Sequence, residues 1–145
     1  MPSSAKYPSL RGFSALVTGG VSGLGRAISE KLLENEMTLF VADIDDENGS
    51  ETELLYKSRG FDYRFIKTDL SDVRSVDNLI SKIKRETNSL KVLVNNARPK
   101  LDRRGLPESL EKFDSEMQVM LKSPILLMAS FEKLRMKNQA ASIIN

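Results

Sequence analysis

The chain has 145 residues, a length typical of one compact domain, and its 22 basic and 20 acidic side chains leave a net charge of only +2. This balance argues against nucleic acid or an anionic membrane as partner. The chain contains no cysteine and no histidine, which excludes disulfides and thiolate catalysis and removes the commonest metal ligand and general base, so we predict no metal site. No segment approaches the roughly eighteen apolar residues of a membrane span, and a soluble cytoplasmic protein is the default expectation.

The first third of the chain alternates between strand and helix patterns. A short apolar run at 13–18 stops abruptly at glycines, which predicts a buried strand. A second strand is predicted at 38–43, and the helix after it, at 45–58, begins with acidic residues that suit the positive end of a helix dipole and ends at Gly60. Between these strands, apolar spacing predicts a helix with an inner face of Leu24, Ala27, Ile28, Leu32 and Leu33.

The middle of the chain continues the same alternation. Residues 62–67 alternate apolar and polar as a third strand does, and 91–95 form a fourth apolar run. Ser71 is the predicted N-cap of the helix between them. The predicted inner face of that helix is Val73, Val76, Leu79, Ile80 and Ile83.

The last third begins with a polar loop predicted at 98–108. A long apolar helix is predicted at 113–134, in which Pro124 marks a kink or a boundary. Residues 141–145 are the predicted fifth strand. Strands that alternate with helices in this way indicate βαβ units and a parallel sheet covered on both faces.

The turn between the first strand and the first helix is rich in glycine, and reads Thr18-Gly19-Gly20-Val21-Ser22-Gly23-Leu24-Gly25. Glycines let a backbone approach a pyrophosphate closely, the helix N-terminus from Leu24 offers free N–H groups, and Ser22 adds a hydroxyl donor. The spacing is G-x-x-x-G-x-G rather than G-x-G-x-x-G, and glycine clusters also serve simply as turns. The turn therefore predicts a phosphate site only in combination with other residues.

Asp43 ends the second strand about twenty residues further on, where a carboxylate can accept hydrogen bonds from an adenosine ribose. Asp43 can equally cap the following turn, and both roles are compatible. A carboxylate repels a 2'-phosphate, and the next residue is Ile44 rather than a cation. The sequence therefore favours NAD over NADP as cofactor.

Four motifs in this order resemble the short-chain dehydrogenase/reductase family. They are Thr18-Gly19-x-x-x-Gly23-x-Gly25, Asp43, Asp69-Leu70 and Asn95-Asn96-Ala97. The resemblance implies a Rossmann-type α/β fold, a doubly wound parallel sheet with strand order 3-2-1-4-5 and helices on both faces. It further implies that residues 1–145 form a single NAD(P)-binding domain that is incomplete and ends after strand five.

The same resemblance implies a role for each matching residue. Asp69 and Leu70 would border the adenine, Asn96 and Ala97 would line the path of the nicotinamide ribose, and Asn95 would hold the sheet together through backbone hydrogen bonds. The cofactor-binding set implied in this way comprises Gly19, Ser22, Gly23, Leu24, Gly25, Asp43, Asp69, Leu70, Asn96 and Ala97.

Three positions depart from the family pattern. Arg98 stands where the family has glycine after Asn-Asn-Ala, and it can face the pyrophosphate, a substrate carboxylate or solvent. Met120 stands where an active-site asparagine is usual, and it cannot orient a water as an amide does. A methionine that fills a gap on an apolar helix face is the simpler account of Met120. Ser123 replaces a usual glycine.

The family's catalytic serine and Y-x-x-x-K pair would follow the segment that ends at Asn145, so no catalytic residue is assigned in this chain. Tyr63 and Lys67 have that spacing, but on a strand four residues span ~13 Å, whereas the pair must lie on successive turns of one helix. We therefore reject them as the pair.

Two hypotheses for function remain at this stage. The first is the NAD-binding portion of a homo-oligomeric oxidoreductase that acts on a small-molecule alcohol or ketone. The alternative is a catalytically inactive relative that binds a dinucleotide or a protein.

Overall fold

The computed structural model describes residues 6–99 and 108–145. Its centre is a five-stranded sheet in the order β3-β2-β1-β4-β5, and every adjacent pair of strands is parallel. This order confirms the predicted fold class. The strands are β1 (Ser14–Thr18), β2 (Thr38–Asp43), β3 (Tyr63–Lys67), β4 (Leu90–Asn95) and β5 (Ser142–Ile144).

Helices cover both faces of the sheet. The helices are α1 (Gly23–Glu34), α2 (Asp46–Ser58), α3 (Val73–Glu86), α4 (Leu110–Met117) and α5 (Ser123–Leu134), with a 3-10 turn at Pro8–Leu10. On one face, Leu33 of α1 and Tyr56 of α2 join a core cluster with Ala15 and Val17. On the other face, residues of α3 and α5 pack against Leu16 and its neighbours. Because both faces are covered, the central strands are apolar almost without alternation.

The predicted inner faces of α1 and α3 were partly wrong. Leu24 is 71% exposed, Ala27 is also exposed, and Val73 is 45% exposed. The buried residues of α1 are Gly25, Ser29 and Leu33, spaced four apart, so that Leu33 was predicted correctly and Gly25 and Ser29 were missed. Ile28 and Leu32 of the predicted face are partly buried against the core. Small residues on this stripe let the helix approach the sheet closely, whereas the apolar pattern pointed to the larger side chains beside it.

The predicted cap of α3 was also wrong. The N-cap is Asp72, whose carboxylate accepts a hydrogen bond from the backbone N–H of Arg74 at 2.9 Å. The hydroxyl of Ser71 donates to Asp69 instead, at 2.6 Å. Serine and aspartate are both good N-caps, and here the hydroxyl of Ser71 is bound to Asp69 whereas the carboxylate of Asp72 caps the helix. The predicted end of α2 at Gly60 is confirmed by the left-handed φ of 82° at that residue.

The long apolar helix is interrupted as Pro124 predicted. A π-helical turn at Gln118–Lys122 separates α4 from α5, and the N–H of Ser123 donates to the carbonyl of Gln118. Pro124 lies in the first turn of α5, where its missing N–H is tolerated. Part of the predicted loop, residues 100–107, lies outside the described residues.

The hydroxyl of Tyr63 is buried without a hydrogen-bond partner in the described structure, and burial raises its pKa above the usual range. We expect Tyr63→Phe to leave the free energy of unfolding unchanged or to raise it by about 1 kcal/mol, because no hydrogen bond is lost. Urea unfolding measures this. The matched control is Tyr56→Phe, which removes a hydroxyl that donates to Glu30, and we expect it to destabilise the protein. Equal destabilisation by both variants would contradict this account.

Candidate functional site

The predicted site residues gather at the carboxyl ends of the central strands. β1 pairs with β2 on one side and with β4 on the other, so the strand order reverses at β1. In doubly wound folds, ligands bind outside the carboxyl ends of the strands at the point where the strand order reverses. The glycine turn follows β1 directly at this point.

The glycine turn is packed backbone against backbone. A Cβ at Gly25 would lie 2.0 Å from the carbonyl oxygen of Gly19 and 2.5 Å from the Nδ2 atom of Asn96. A Cβ at Gly19 would lie 2.9 Å from the Cα atom of Ala97. The turn therefore requires glycine at both positions for close packing against the chain that follows β4.

Gly23 faces outward. It has a φ of 53°, and a Cβ built there would meet nothing within 4 Å. The N-cap of α1, Ser22, makes no side-chain capping hydrogen bond, whereas the N-caps of α2, α3 and α4 all do. The first N–H groups of α1 are thus left for another acceptor, beside open space. Such a helix N-terminus suits a phosphate group.

Asn96 holds the glycine turn in place. Its Nδ2 atom donates to the carbonyl oxygens of Thr18 and Gly19, at 3.1 and 3.0 Å. The hydroxyl oxygen of Thr18 accepts from the backbone N–H groups of Asn96 and Ala97, both at 3.1 Å. The residues after β4 and the turn after β1 therefore form one hydrogen-bonded unit.

Asp43 lies at the end of β2 and is half-buried. One carboxylate oxygen accepts from the backbone N–H of Val21 at 3.3 Å, and the other accepts from that of Asp45 at 3.1 Å. The capping role that we considered is therefore present, and the carboxylate also connects β2 to the glycine turn. Each oxygen keeps a further lone pair for a ligand hydroxyl.

Asp69 and Leu70 form the turn between β3 and α3. The carboxylate of Asp69 accepts from the N–H and the hydroxyl of Ser71. The side chain of Leu70 is buried in the core, and its carbonyl accepts from the hydroxyl of Ser123 at 2.7 Å. Ser123 is fully buried and connects α5 to this turn. The family resemblance marks Ser123 only as a departure from the usual glycine and does not predict this hydrogen bond.

The other residues singled out from the sequence lie around this edge. Asn95 ends β4, and its Nδ2 atom donates to the Oδ1 atom of Asn145 after β5, at 2.7 Å. Arg98 is exposed, and Met120 is 56% exposed on the π-helical turn. Met120 therefore does not fill a gap in the core, contrary to the simpler account.

Tyr63 and Lys67 lie at opposite ends of β3, which confirms the strand assignment. Tyr63 is buried, and Lys67 is exposed and forms an ion pair with Asp46 at 3.1 Å. They do not form a catalytic pair.

Within residues 6–99 and 108–145, none of the helices has the length and apolar content that a membrane span needs. No group of three or more acidic, histidine or cysteine side chains in the same ranges is arranged to hold a metal ion.

The family model described as short chain dehydrogenase matches residues 14–145. An uncharacterized oxidoreductase of Thermotoga maritima is 35% identical over 136 residues, which cover 94% of this chain and 53% of that protein. The chain therefore spans about half the length of this relative.

Two solved structures of short-chain dehydrogenases or oxidoreductases are also similar to this chain. A metagenomic short-chain oxidoreductase in complex with NADP superposes with a TM-score of 0.83 at 28% identity, over 94% of this chain and 62% of that one. A short chain dehydrogenase/reductase from Burkholderia phymatum in complex with NAD also has a TM-score of 0.83, at 25% identity, over 93% of this chain and 48% of that one.

Proposed function

This chain belongs to the short-chain dehydrogenase family, and from this premise we propose that it forms the NAD-binding portion of an oxidoreductase. The observation that carries the proposal is the geometry of the turn at residues 19–25 and the start of α1, which we call the cradle. Free N–H groups, the open space at Gly23 and the close packing of Gly19 and Gly25 fit a pyrophosphate. A bound nicotinamide would accept or donate the hydride in the reaction.

The remaining members of the predicted set take the roles that the family suggests. Asp43 accepts from the adenosine ribose, Asp69 and Leu70 border the adenine, and Asn96 and Ala97 line the path of the nicotinamide ribose. In the structure Asn96 acts on the turn through its hydrogen bonds to Thr18 and Gly19. Its contribution to binding is thus to fix the shape of the cradle.

We propose NAD rather than NADP as the cofactor, because Asp43 places a negative charge where a 2'-phosphate would lie. Calorimetric titration should give a dissociation constant for NAD at least about tenfold below that for NADP. Asp43→Asn removes the charge and keeps one of the two acceptor oxygens, so it also loses one of the hydrogen bonds from the N–H groups of Val21 and Asp45. It should bring the dissociation constants for NAD and NADP closer together. Tighter binding of NADP than of NAD by the unmodified chain would overturn the preference.

The parent activity that we propose is hydride transfer between the nicotinamide and a small-molecule alcohol or ketone. All three tyrosines of this sequence precede β4, so none of them is the tyrosine of the Y-x-x-x-K pair, which in the family follows this strand. The relatives described above are named as oxidoreductases or dehydrogenases, and this favours an active parent over the inactive alternative.

The exposed apolar residues in the last third of the chain favour the view that further protein packs against this domain. The exposed side chains on α4, the π-helical turn, α5 and β5 include Leu110, Phe113, Leu121, Ile125 and Ile144. Such a face favours association. We propose that residues 1–145 are an incomplete domain of a longer cytoplasmic protein, and that this protein is a homo-oligomer.

A further inference from the structure

Arg98 lies one residue beyond the hydrogen-bonded unit that holds the glycine turn. Ala97, its neighbour, donates its N–H to Thr18 and lies against Gly19, so that no Cβ fits between them. Consecutive Cα atoms are about 3.8 Å apart. The backbone of Arg98 is therefore held beside the turn, and its long side chain starts from there.

Arg98 forms no ion pair with another residue of the ranges 6–99 and 108–145. Two cations of the neighbouring elements are paired: Arg26 of α1 lies 3.4 Å from Glu30, and Lys67 at the end of β3 lies 3.1 Å from Asp46. The side chain of Arg98 is exposed and makes no such pair. Asp43, the acidic residue of the cradle, already accepts two backbone N–H groups.

A guanidinium that reaches the free N–H groups of a helix would complete a favourable arrangement for a phosphate. Arginine binds phosphate oxygens through two parallel hydrogen bonds, which are stronger than neutral ones. The N–H groups of α1 carry only partial charges, whereas a pyrophosphate carries two negative charges. Arg98 supplies a full positive charge at the side of the cradle formed by the chain after β4.

We propose that Arg98 binds the pyrophosphate of the cofactor, as a contact that the small residue usual at this position cannot make. This inference rests on the proposed function. It deepens that function by assigning an additional cofactor-binding residue, and it chooses the pyrophosphate over a substrate carboxylate because of the position of Arg98 beside the glycine turn.

The test is calorimetric titration of the unmodified chain, Arg98→Ala and Arg98→Lys with NAD and with ADP-ribose, which lacks the nicotinamide. Arg98→Ala should raise both dissociation constants by about tenfold or more, the effect expected for a lost charged hydrogen bond. Arg98→Lys keeps the positive charge but lacks the planar guanidinium. Its dissociation constants should lie between those of the unmodified chain and those of Arg98→Ala. The salt dependence of binding should weaken in Arg98→Ala.

Arg59→Ala is the matched control, because Arg59 is exposed, forms no ion pair in the described structure and lies at the opposite end of α2 from the cradle. It should leave both dissociation constants unchanged. If Arg98→Ala binds both ligands as the unmodified chain does, or loses affinity for NAD alone, the inference is overturned and the proposed function stands. If the unmodified chain binds neither ligand, both are overturned.

Discussion

Gly25→Ala should abolish detectable NAD binding and lower the free energy of unfolding by about 3 kcal/mol or more. The added Cβ would lie 2.0 Å from the carbonyl oxygen of Gly19, a backbone atom that cannot move away as a flexible side chain can. It would also displace the Nδ2 atom of Asn96, so the clash breaks the unit that holds the turn. Urea unfolding and calorimetric titration measure the two effects.

Two other glycine variants separate packing from binding. Gly23→Ala should cost only about 1 kcal/mol, the usual penalty for an alanine in the left-handed region, yet should weaken NAD binding because its Cβ enters the open space of the cradle. Gly60→Ala has a similar backbone penalty far from the site and should not change binding. If Gly25→Ala is no less stable than Gly23→Ala, the close packing described for the turn is wrong.

Asn96→Asp should destabilise the protein by about 3 kcal/mol at neutral pH although the two side chains have nearly the same shape. The amide donates to two carbonyl oxygens at 3.0 and 3.1 Å. A carboxylate in its place would be half-buried and could donate no hydrogen bond to either carbonyl oxygen. Its negative charge would be repelled by both oxygens. The shape of the cradle would be lost, and NAD affinity should fall with the stability.

The pH dependence of the Asn96→Asp penalty follows from the same geometry. In the folded state the introduced carboxyl is favoured in its protonated form, which can donate to a carbonyl, so its pKa is raised above the unfolded value. The penalty should therefore be complete above the folded pKa and should shrink as the pH falls through it. Unfolding measured from about pH 7 to about pH 5 tests this.

The control for Asn96→Asp is Asn78→Asp, which makes the same change of charge on the exposed face of α3. We expect it to change the free energy of unfolding by less than about 0.5 kcal/mol at either pH. If Asn96→Asp behaves like this surface variant, the two hydrogen bonds to Thr18 and Gly19 do not hold the turn.

The strand positions of this protein could be predicted from local sequence. The apolar runs at the centre of the sheet lie between helices on both faces, so burial alone explains their composition. The predicted strand bounds differ from the observed bounds by at most one residue at each end. The strand order was implied by the family resemblance, because four short motifs in a fixed order identify a known topology.

The helix faces were harder to predict, because apolar spacing ranks large side chains first. The buried residues of α1 are Gly25, Ser29 and Leu33, and two of these three are small. Only the position of the helix against the sheet distinguishes a small buried residue from a small exposed one. The same limit applies to Ser71 and Asp72, which have similar capping ability.

The sequence by itself predicted the residues of the proposed cradle: the glycines and Asp43 from residue type and spacing, and Asn96 through the family resemblance. The tertiary structure decided how they act together: Asn96 donates to the turn, Asp43 accepts from it, and Ser123 reaches the carbonyl of Leu70. These contacts join residues more than twenty positions apart. Hydrogen bonds of this kind depend on distances of about 3 Å that only the packed sheet establishes.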